Sequence, residues 1–291
     1  MSADRTLRAS ILVIGDEILG GYVRDTNSGW LARRLDRQGV EVDRIVTVPD
    51  TYDAIDEALR AELARPRPRL VLTTGGIGST PDDLTYEAIA ASLDRELKVA
   101  DAVAERIEGA VAWTRSHGLD VDDEFVAHMM RMARIPEGAE VLRRASSFAP
   151  GIRVDVGGGI DQRGGATIVI LPGVPSQLRA IVTEVVEPDL VAGRGRSRAV
   201  AEVTHSFPES TLNRLFARLG RTYPDLRVGS YPGAPMLVRL RGHPEDVSAA
   251  EAEVHEELEA LLATPAGRRL AAAWAERFAA AEEEETGGAS R

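Results

Sequence analysis

A short apolar run, Leu70-Val71-Leu72, passes through Thr73 and Thr74 into Gly75, Gly76 and Gly78. Thr80-Pro81-Asp82-Asp83 then opens an apolar-periodic segment through Leu84, Ala88, Ile89 and Leu93. Strand, glycine loop and helix start in that order make a βα unit. Glycines at a strand end let the backbone take positive φ and approach a ligand. The free N–H groups and dipole of the helix's first turn favour an anion, by ~0.3–1 kcal/mol for a surface charge. The loop therefore suits a phosphate. Thr80 at N-cap, Pro81 at N1 and Asp83 reaching back from N3 also read as a helix cap. Capping leaves the three glycines unexplained. It also leaves two adjacent carboxylates facing an anion-seeking loop, unless a metal ion bridges them to phosphate oxygens.

The rest of the chain is consistent with an α/β enzyme-sized protein. At 291 residues and 44% apolar content it has room for two domains with packed cores. A formal charge of −11 and the lack of a basic stripe argue against a nucleic-acid or anionic-membrane partner. There is no cysteine, which excludes disulfides, thiolate metal sites and a cysteine nucleophile. Lys98 is the only lysine, and Gly15-Asp-Glu-Ile-Leu-Gly20 continues Gly21-Tyr22 where a Walker P-loop needs Lys and Ser or Thr. The apolar run Ile11–Ile14 is too short for a signal core or a membrane span, so a cytoplasmic location is expected.

In chain order the pattern predicts a strand over Ser10–Ile14, a loop to Thr26, a helix from Asn27 to Gln38 and a strand over Glu41–Val48. A helix carrying Ile55, Ala58, Leu59 and Leu63 leads to the strand at Leu70. Helical segments follow over Asp101–His117 and Asp122–Ala133. Strands Ile152–Val156 and Ala166–Leu171 flank a glycine-rich hairpin tip, and Leu171-Pro172-Gly173-Val174-Pro175-Ser176 turns into a helix. The alternation implies a mostly parallel open sheet with helices on both faces. A linker over Gly193–Ser197 sets off a smaller α+β domain, read as strand, helix, strand, strand, helix. The expected divisions are 1–192, 197–264, and a C-terminal helix over 265–291 whose Glu282–Glu285 run lacks an apolar partner and is expected to be disordered.

If the first, third and late strands are neighbours, three strand ends converge. They bring together Gly15, Asp16 and Glu17; Gly75, Gly76 and Gly78 with Asp82 and Asp83; and Pro172, Gly173, Pro175 and Ser176. Asn27 would cap a helix beside the first, and Asp50 ends the second strand. Backbone donors for phosphates and carboxylates for a divalent cation are the equipment for attack on a phosphoanhydride. Asp16, Glu17, Asp50 and Asn27 each suit a turn or cap position as well. The five histidines lie in different elements without metal-ligand spacing. Ser176 lacks a Gly-x-Ser-x-Gly elbow, so capping or a phosphate contact suits it better than nucleophilic attack.

Three stretches resemble the signature loops of the molybdopterin-binding (MoaB/Mog-like) domain. They are Ile14-Gly15-Asp16-Glu17-Ile18-Leu19 with Asp25-Thr26-Asn27, Thr74-Gly75-Gly76-Ile77-Gly78 with Asp82-Asp83-Leu84-Thr85, and Leu171-Pro172-Gly173-Val174-Pro175. The variant looks like the N-terminal domain of the CinA (competence/damage-inducible protein A) family and is similar to the corresponding domain of FAD synthase. The likeness covers Ser10–Val186. Glu209-Ser210, Tyr223-Pro224 and Gly229-Ser230-Tyr231-Pro232 resemble that family's appended α+β domain. It does not extend to the amidase or flavin-adenylylating domains that some relatives carry.

The resemblance implies a homo-oligomer with a ligand crevice at the strand ends and a metal-dependent (Mg, Mn or Co) pyrophosphatase acting on ADP-ribose or FAD. Asp82 and Asp83 would hold the cation. The loop Gly75, Gly76, Gly78, Ser79, Thr80 with Thr85, and the turn Pro172–Ser176, would cradle the diphosphate, and Asp50 or Asp16 would orient water. Molybdopterin as ligand, with adenylyl transfer or molybdenum insertion, is the alternative. A nucleotide- or pterin-binding protein without turnover is a third reading.

Overall fold

Apolar runs and amphipathic segments alternate along the first part of the chain, and strand and helix follow them. β1 (Arg8–Ile14) leads through one helical turn, α1 (Asp16–Leu19), to α2 (Asn27–Arg37); β2 (Glu41–Val48) leads to α3 (Tyr52–Leu63); β3 (Arg69–Thr74) leads to α4 (Thr85–Ser92). Next come β4 (Leu97–Val99), α5 (Asp101–Ser116), α6 (Asp123–Arg131), β5 (Arg134–Pro136), β6 (Glu140–Val141), β7 (Ile152–Val156), β8 (Ala166–Leu171) and α7 (Pro175–Ile181). The last helix continues with wider π-type winding over Val182–Val191. The computed structural model describes residues 6–142, 146–162, 164–196, 198–233 and 235–288. It divides into two compact units, Met1–Arg196 and Ser197–Arg291.

The first unit holds a six-stranded sheet in the order β2-β1-β3-β8-β7-β6. β2, β1, β3 and β8 run parallel, and β7 and β6 add antiparallel at one edge. Alternation along the buried strands sends side chains to opposite faces. Ala9, Ile11 and Val13 of β1, with Leu70 and Leu72 of β3, pack beneath Leu31 and Leu35 of α2 and Leu178 and Ile181 of α7. Leu12, Ile14 and Val71 face the other way, under Ile55 and Leu59 of α3 and Ile89 of α4. The sheet is thus covered on both faces, as a parallel sheet requires. No described helix is long and apolar enough to cross a membrane.

Two expectations are corrected here. α4 begins at Thr85, so Thr80-Pro81-Asp82-Asp83 is a turn ahead of the helix and not its cap. The reason is local: the Thr85 N–H goes back to Gly76 O at 3.0 Å and its hydroxyl to Gly75 O at 2.9 Å, so the loop itself occupies the helix's first donor. At the other end of the chain the Glu282–Glu285 run, expected to be disordered, continues a helix that runs through Gly288. Ala and Glu are strong helix formers, and their backbone preference carries the helix through the run.

The second unit contains β9 (Ala199–His205), a 3-10 turn (Glu209–Leu212), α8 (Asn213–Thr222), β10 (Arg227–Tyr231), β11 (Met236–Gly242), α9 (Pro244–Ala263) and α10 (Pro265–Gly288). Its three strands form an antiparallel sheet in the order β10-β11-β9. Ala201, Val203, Val238 and Leu240 on one face pack against Leu215 and Leu219 of α8 and Val247, Ala250 and Val254 of α9.

Candidate functional site

Because β1, β3 and β8 are adjacent and parallel, the three segments that follow them leave the same edge of the sheet. This is the carboxyl edge, where open α/β sheets place ligands. Gly15 is buried at the end of β1, with its N–H on Val48 O at 3.1 Å; Gly75 continues β3, with its N–H on Leu171 O at 3.2 Å. Gly75 and Gly76 adopt φ of +102° and +63°. A Cβ on Gly75 would drive into the Ile14 carbonyl oxygen, and one on Gly76 would strike the Thr85 hydroxyl and come within 3.0 Å of Asp50 Oδ1. Glycine is required at both positions by backbone conformation and by space.

Asn27 ties the three segments together. It is buried in the first turn of α2, and its Nδ2 donates to Gly173 O at 2.8 Å and to the Thr74 hydroxyl at 3.2 Å. Thr74 passes its own proton to Pro172 O at 3.1 Å. Asn27 was expected to cap its helix. The cap belongs to Asp25, whose carboxylate accepts from the N–H groups of Asn27 (2.9 Å) and Ser28 (3.0 Å) and from the Ser28 hydroxyl. That leaves the Asn27 amide free to reach across the sheet edge.

The carboxylates gather around Asp50, whose Oδ2 accepts from the backbone N–H of Asp16 at 2.9 Å. Burial, then the charges of Glu17, Asp16 and Asp82, push its carboxyl above the usual range, while the Asp16 N–H works the other way. Asp83 behaves differently. Its Oδ2 accepts from both the N–H (2.9 Å) and the hydroxyl (2.5 Å) of Thr80, and it lies 2.6 Å from where a Gly78 Cβ would stand. Among the described residues, no group of three or more His, Asp or Glu side chains is placed to hold a metal ion by itself.

One contributor was not legible from the sequence. Arg131, at the end of α6, donates to Thr80 O at 2.9 Å, Asp83 O at 3.2 Å and Glu87 Oε1 at 3.3 Å, bracing the turn that carries Asp82 and Asp83. Its separation of some fifty residues leaves no local signal. Asp16, Glu17, Asp82 and Gly173 are exposed, as are Pro175 and Ser176 in the first turn of α7, whereas Ser79 is half-buried in the glycine loop. A cavity of about 560 Å³ lined by Lys98, Glu137, Leu142 and Val185 among others includes none of the strand-end residues.

The family model described as "probable molybdopterin binding domain" matches residues 10–192. A protein of Aeropyrum pernix is 34% identical over 260 residues, covering 87% of this chain and 91% of its own length. A relative in Desulforudis audaxviator, named as a competence-damage inducible protein, is 33% identical over 256 residues, covering 86% of this chain and 57% of its own length. Among solved structures, the protein CinA of Thermoplasma acidophilum superposes with a TM-score of 0.52 at 29% identity, over 64% of this chain and 98% of that one. The molybdopterin biosynthesis enzyme MoaB of Thermus thermophilus is 28% identical with a TM-score of 0.39, over 63% of this chain and 91% of that one.

Proposed function

We propose, for a chain that belongs to the molybdopterin-binding domain family, that the crevice at the ends of β1, β3 and β8 hydrolyses the anhydride of a nucleotide diphosphate such as ADP-ribose or FAD. The observation that carries this reading is the meeting of two opposite preferences. The glycine loop turns through positive φ at the strand end, where its backbone N–H groups can meet phosphate oxygens, and beside it stand Asp50, Asp16, Glu17 and Asp82, with the proton affinity of Asp50 raised by burial first and then by the charges of the other three. Anion and carboxylates can share a crevice when a cation lies between them. A magnesium-like ion takes one or two carboxylates with substrate phosphates and waters, a set that Asp82 with Asp16 or Asp83 can supply.

Such a cation, when bound, would neutralise the diphosphate and polarise the phosphorus. The chain's own contribution is positional. Gly75, Gly76 and the Pro172-Gly173 turn after Leu171 hold the diphosphate in line; Asn27 keeps that turn against the loop; Thr80 and Arg131 hold the Asp83 turn. Asp50, a stronger base than an ordinary carboxylate, would take the proton of the attacking water as its oxygen bonds to phosphorus and the bridging P–O bond breaks, leaving two phosphate monoesters.

The second reading, binding of molybdopterin with adenylyl transfer or metal insertion, draws on the description of the family model over residues 10–192. Incubation with ADP-ribose, FAD and molybdopterin, each with and without Mg²⁺, Mn²⁺ or Co²⁺, separates the two. Release of AMP from ADP-ribose or FAD only when metal is added is expected. Tight pterin binding with no cleavage of either diphosphate under any metal would favour the second reading.

A further inference from the structure

The row of strand ends has one more member than the loops described above. β7 runs antiparallel to β8, so its first residues lie at the carboxyl edge of the parallel strands. Ile152 pairs with Ile170, and Leu171, the next residue of β8, pairs with Thr74 of β3. The segment 146–151 that enters β7 therefore stands beside the Pro172–Ser176 turn, on the side away from β3.

That segment is pinned by side chains of two helices. Gln177, next to Ser176 in the first turn of α7, accepts on Oε1 from the Ala149 N–H at 2.8 Å, and Glu184 further along holds the N–H and hydroxyl of Ser146 at 2.7 and 2.6 Å. From α5, Arg106 donates through Nη1 to the carbonyl oxygens of Ser147 (2.9 Å) and Phe148 (2.8 Å). A Cβ on Gly151 would come within 2.5 Å of Ile181, so the chain enters β7 pressed against α7. Ser147, Ala149, Pro150 and Gly151 are buried. Phe148, between them, is 41% exposed.

A lone exposed apolar side chain is ordinary on a protein surface. Here the backbone on both sides of the ring is tied down and buried, which orders the loop at an entropic cost and leaves the ring in solvent. A fixed backbone carrying an exposed ring suits a ligand contact, since a side chain with two torsions loses little freedom on binding. Val174, in the adjacent turn, is 51% exposed. The β8–β7 end of the edge is thus apolar, whereas Asp16, Glu17 and Asp50 collect at the β1–β2 end.

We infer that Phe148 is the base-stacking residue of the crevice, so that the substrate is a diphosphate carrying a nucleobase, with its base at β7 and its reacting phosphates at β3 and β1. The inference rests on the proposed phosphate site at the glycine loop. Two strand spacings, roughly 10 Å, separate β3 from β7, a gap that a ribose bridges between a phosphate on the loop and a base on the ring. An aromatic face accepts any base, so Phe148 selects for the presence of a base and not for its identity. Adenine supplies it in ADP-ribose; inorganic pyrophosphate has nothing to place there.

Calorimetric titration of the full chain with α,β-methylene-ADP and with methylenediphosphonate, both uncleavable, in the presence of Mn²⁺ tests the assignment. Phe148→Ala is expected to weaken α,β-methylene-ADP roughly tenfold and to leave methylenediphosphonate within about twofold, while Phe148→Tyr keeps both. With ADP-ribose as substrate the loss should fall in KM rather than kcat, since the ring is remote from the reacting phosphorus. In Phe148→Trp the new indole should be quenched by α,β-methylene-ADP beyond any change in the parent, and not by methylenediphosphonate. This variant keeps the ring and carries the test if Phe148→Ala fails to fold; no added quench overturns the inference. Equal weakening of both ligands in a folded Phe148→Ala, or of neither, overturns it and leaves hydrolysis at the glycine loop in place. So does a dimer, seen by sedimentation, that Phe148→Ala dissociates without changing nucleotide affinity. A parent that binds α,β-methylene-ADP through Phe148 yet cleaves no diphosphate overturns the hydrolysis and not the base contact; one that binds neither ligand overturns both.

Discussion

The side-chain amide of Asn27 donates to the carbonyl oxygen of Gly173 at 2.8 Å, joining the start of α2 to the turn after β8 across 146 residues. The same nitrogen reaches the Thr74 hydroxyl, so one side chain holds two of the three strand ends that form the crevice. We expect Asn27→Ala to leave these partly buried acceptors unmatched, at about 1–3 kcal/mol of stability. Ligand affinity should fall more than tenfold as the turn and loop drift apart. Urea unfolding and calorimetric titration with ADP-ribose measure the two effects; stability lost with affinity intact would make Asn27 a structural tie alone.

Gly75→Ala is expected to be more damaging than its size suggests. The left-handed backbone alone costs a residue with a Cβ about 1–2 kcal/mol, and the new methyl would meet the Ile14 carbonyl oxygen. β1 and β3 would have to separate at their ends, which is where the crevice lies. A lowered melting temperature with loss of phosphate-ligand binding is the expected outcome. By contrast Gly21→Ala, also at positive φ but with open space around it, should show the backbone cost and keep binding.

The periodic features of the sequence carried over well. β2, β7 and β8 have the limits that alternation and breaker residues indicate, because each run stops just before a glycine or proline. What escaped depends on residues far apart in the chain. Nothing near Arg131 announces that it braces Thr80, and nothing near Asn27 says that Asp25 will take over the cap. The short pairing of β4 with β5 escaped for the same reason, since three residues give no period to read. The glycines were legible as a loop, while the closing of that loop by Thr85 moved the helix start four residues past Pro81.

Asp50 has a consequence for pH. The folded chain binds its proton more tightly than the unfolded chain does, so between the ordinary carboxylate value and the raised one the native state holds more protons and stability falls as pH rises. Above both values that loss is complete. Asp50→Asn keeps an oxygen for the Asp16 N–H and removes the charge, so its melting temperature should equal or exceed the parent's at neutral pH and match it in acid. Hydrolysis in the same variant should fall by at least ~100-fold. In the parent, the acid limb of the rate profile should lie above the ordinary carboxylate range. A variant less stable than the parent at neutral pH would contradict the charge crowding around Asp50.

Asp83 decides between structure and chemistry in the glycine loop. Its Oδ2 holds the N–H and hydroxyl of Thr80, so the residue closes a turn whether or not it meets a ligand. Asparagine can keep the acceptor, and Asp83→Asn should cost at most ~1 kcal/mol of stability. A cation beside a diphosphate feels the lost charge directly, and removing it takes away several kcal/mol of transition-state stabilisation, roughly 1,000-fold or more in rate. Thr80→Ala deletes the hydroxyl and leaves the carboxylate. It should therefore lower the melting temperature and spare most of the turnover, while Asp83→Asn does the reverse. Rates and melts on the two variants, with Mn²⁺ and ADP-ribose in excess, separate these roles. If Asp83→Asn hydrolyses every diphosphate the parent accepts at near-normal rate, the carboxylate serves the turn and the catalytic assignment of Asp83 is lost.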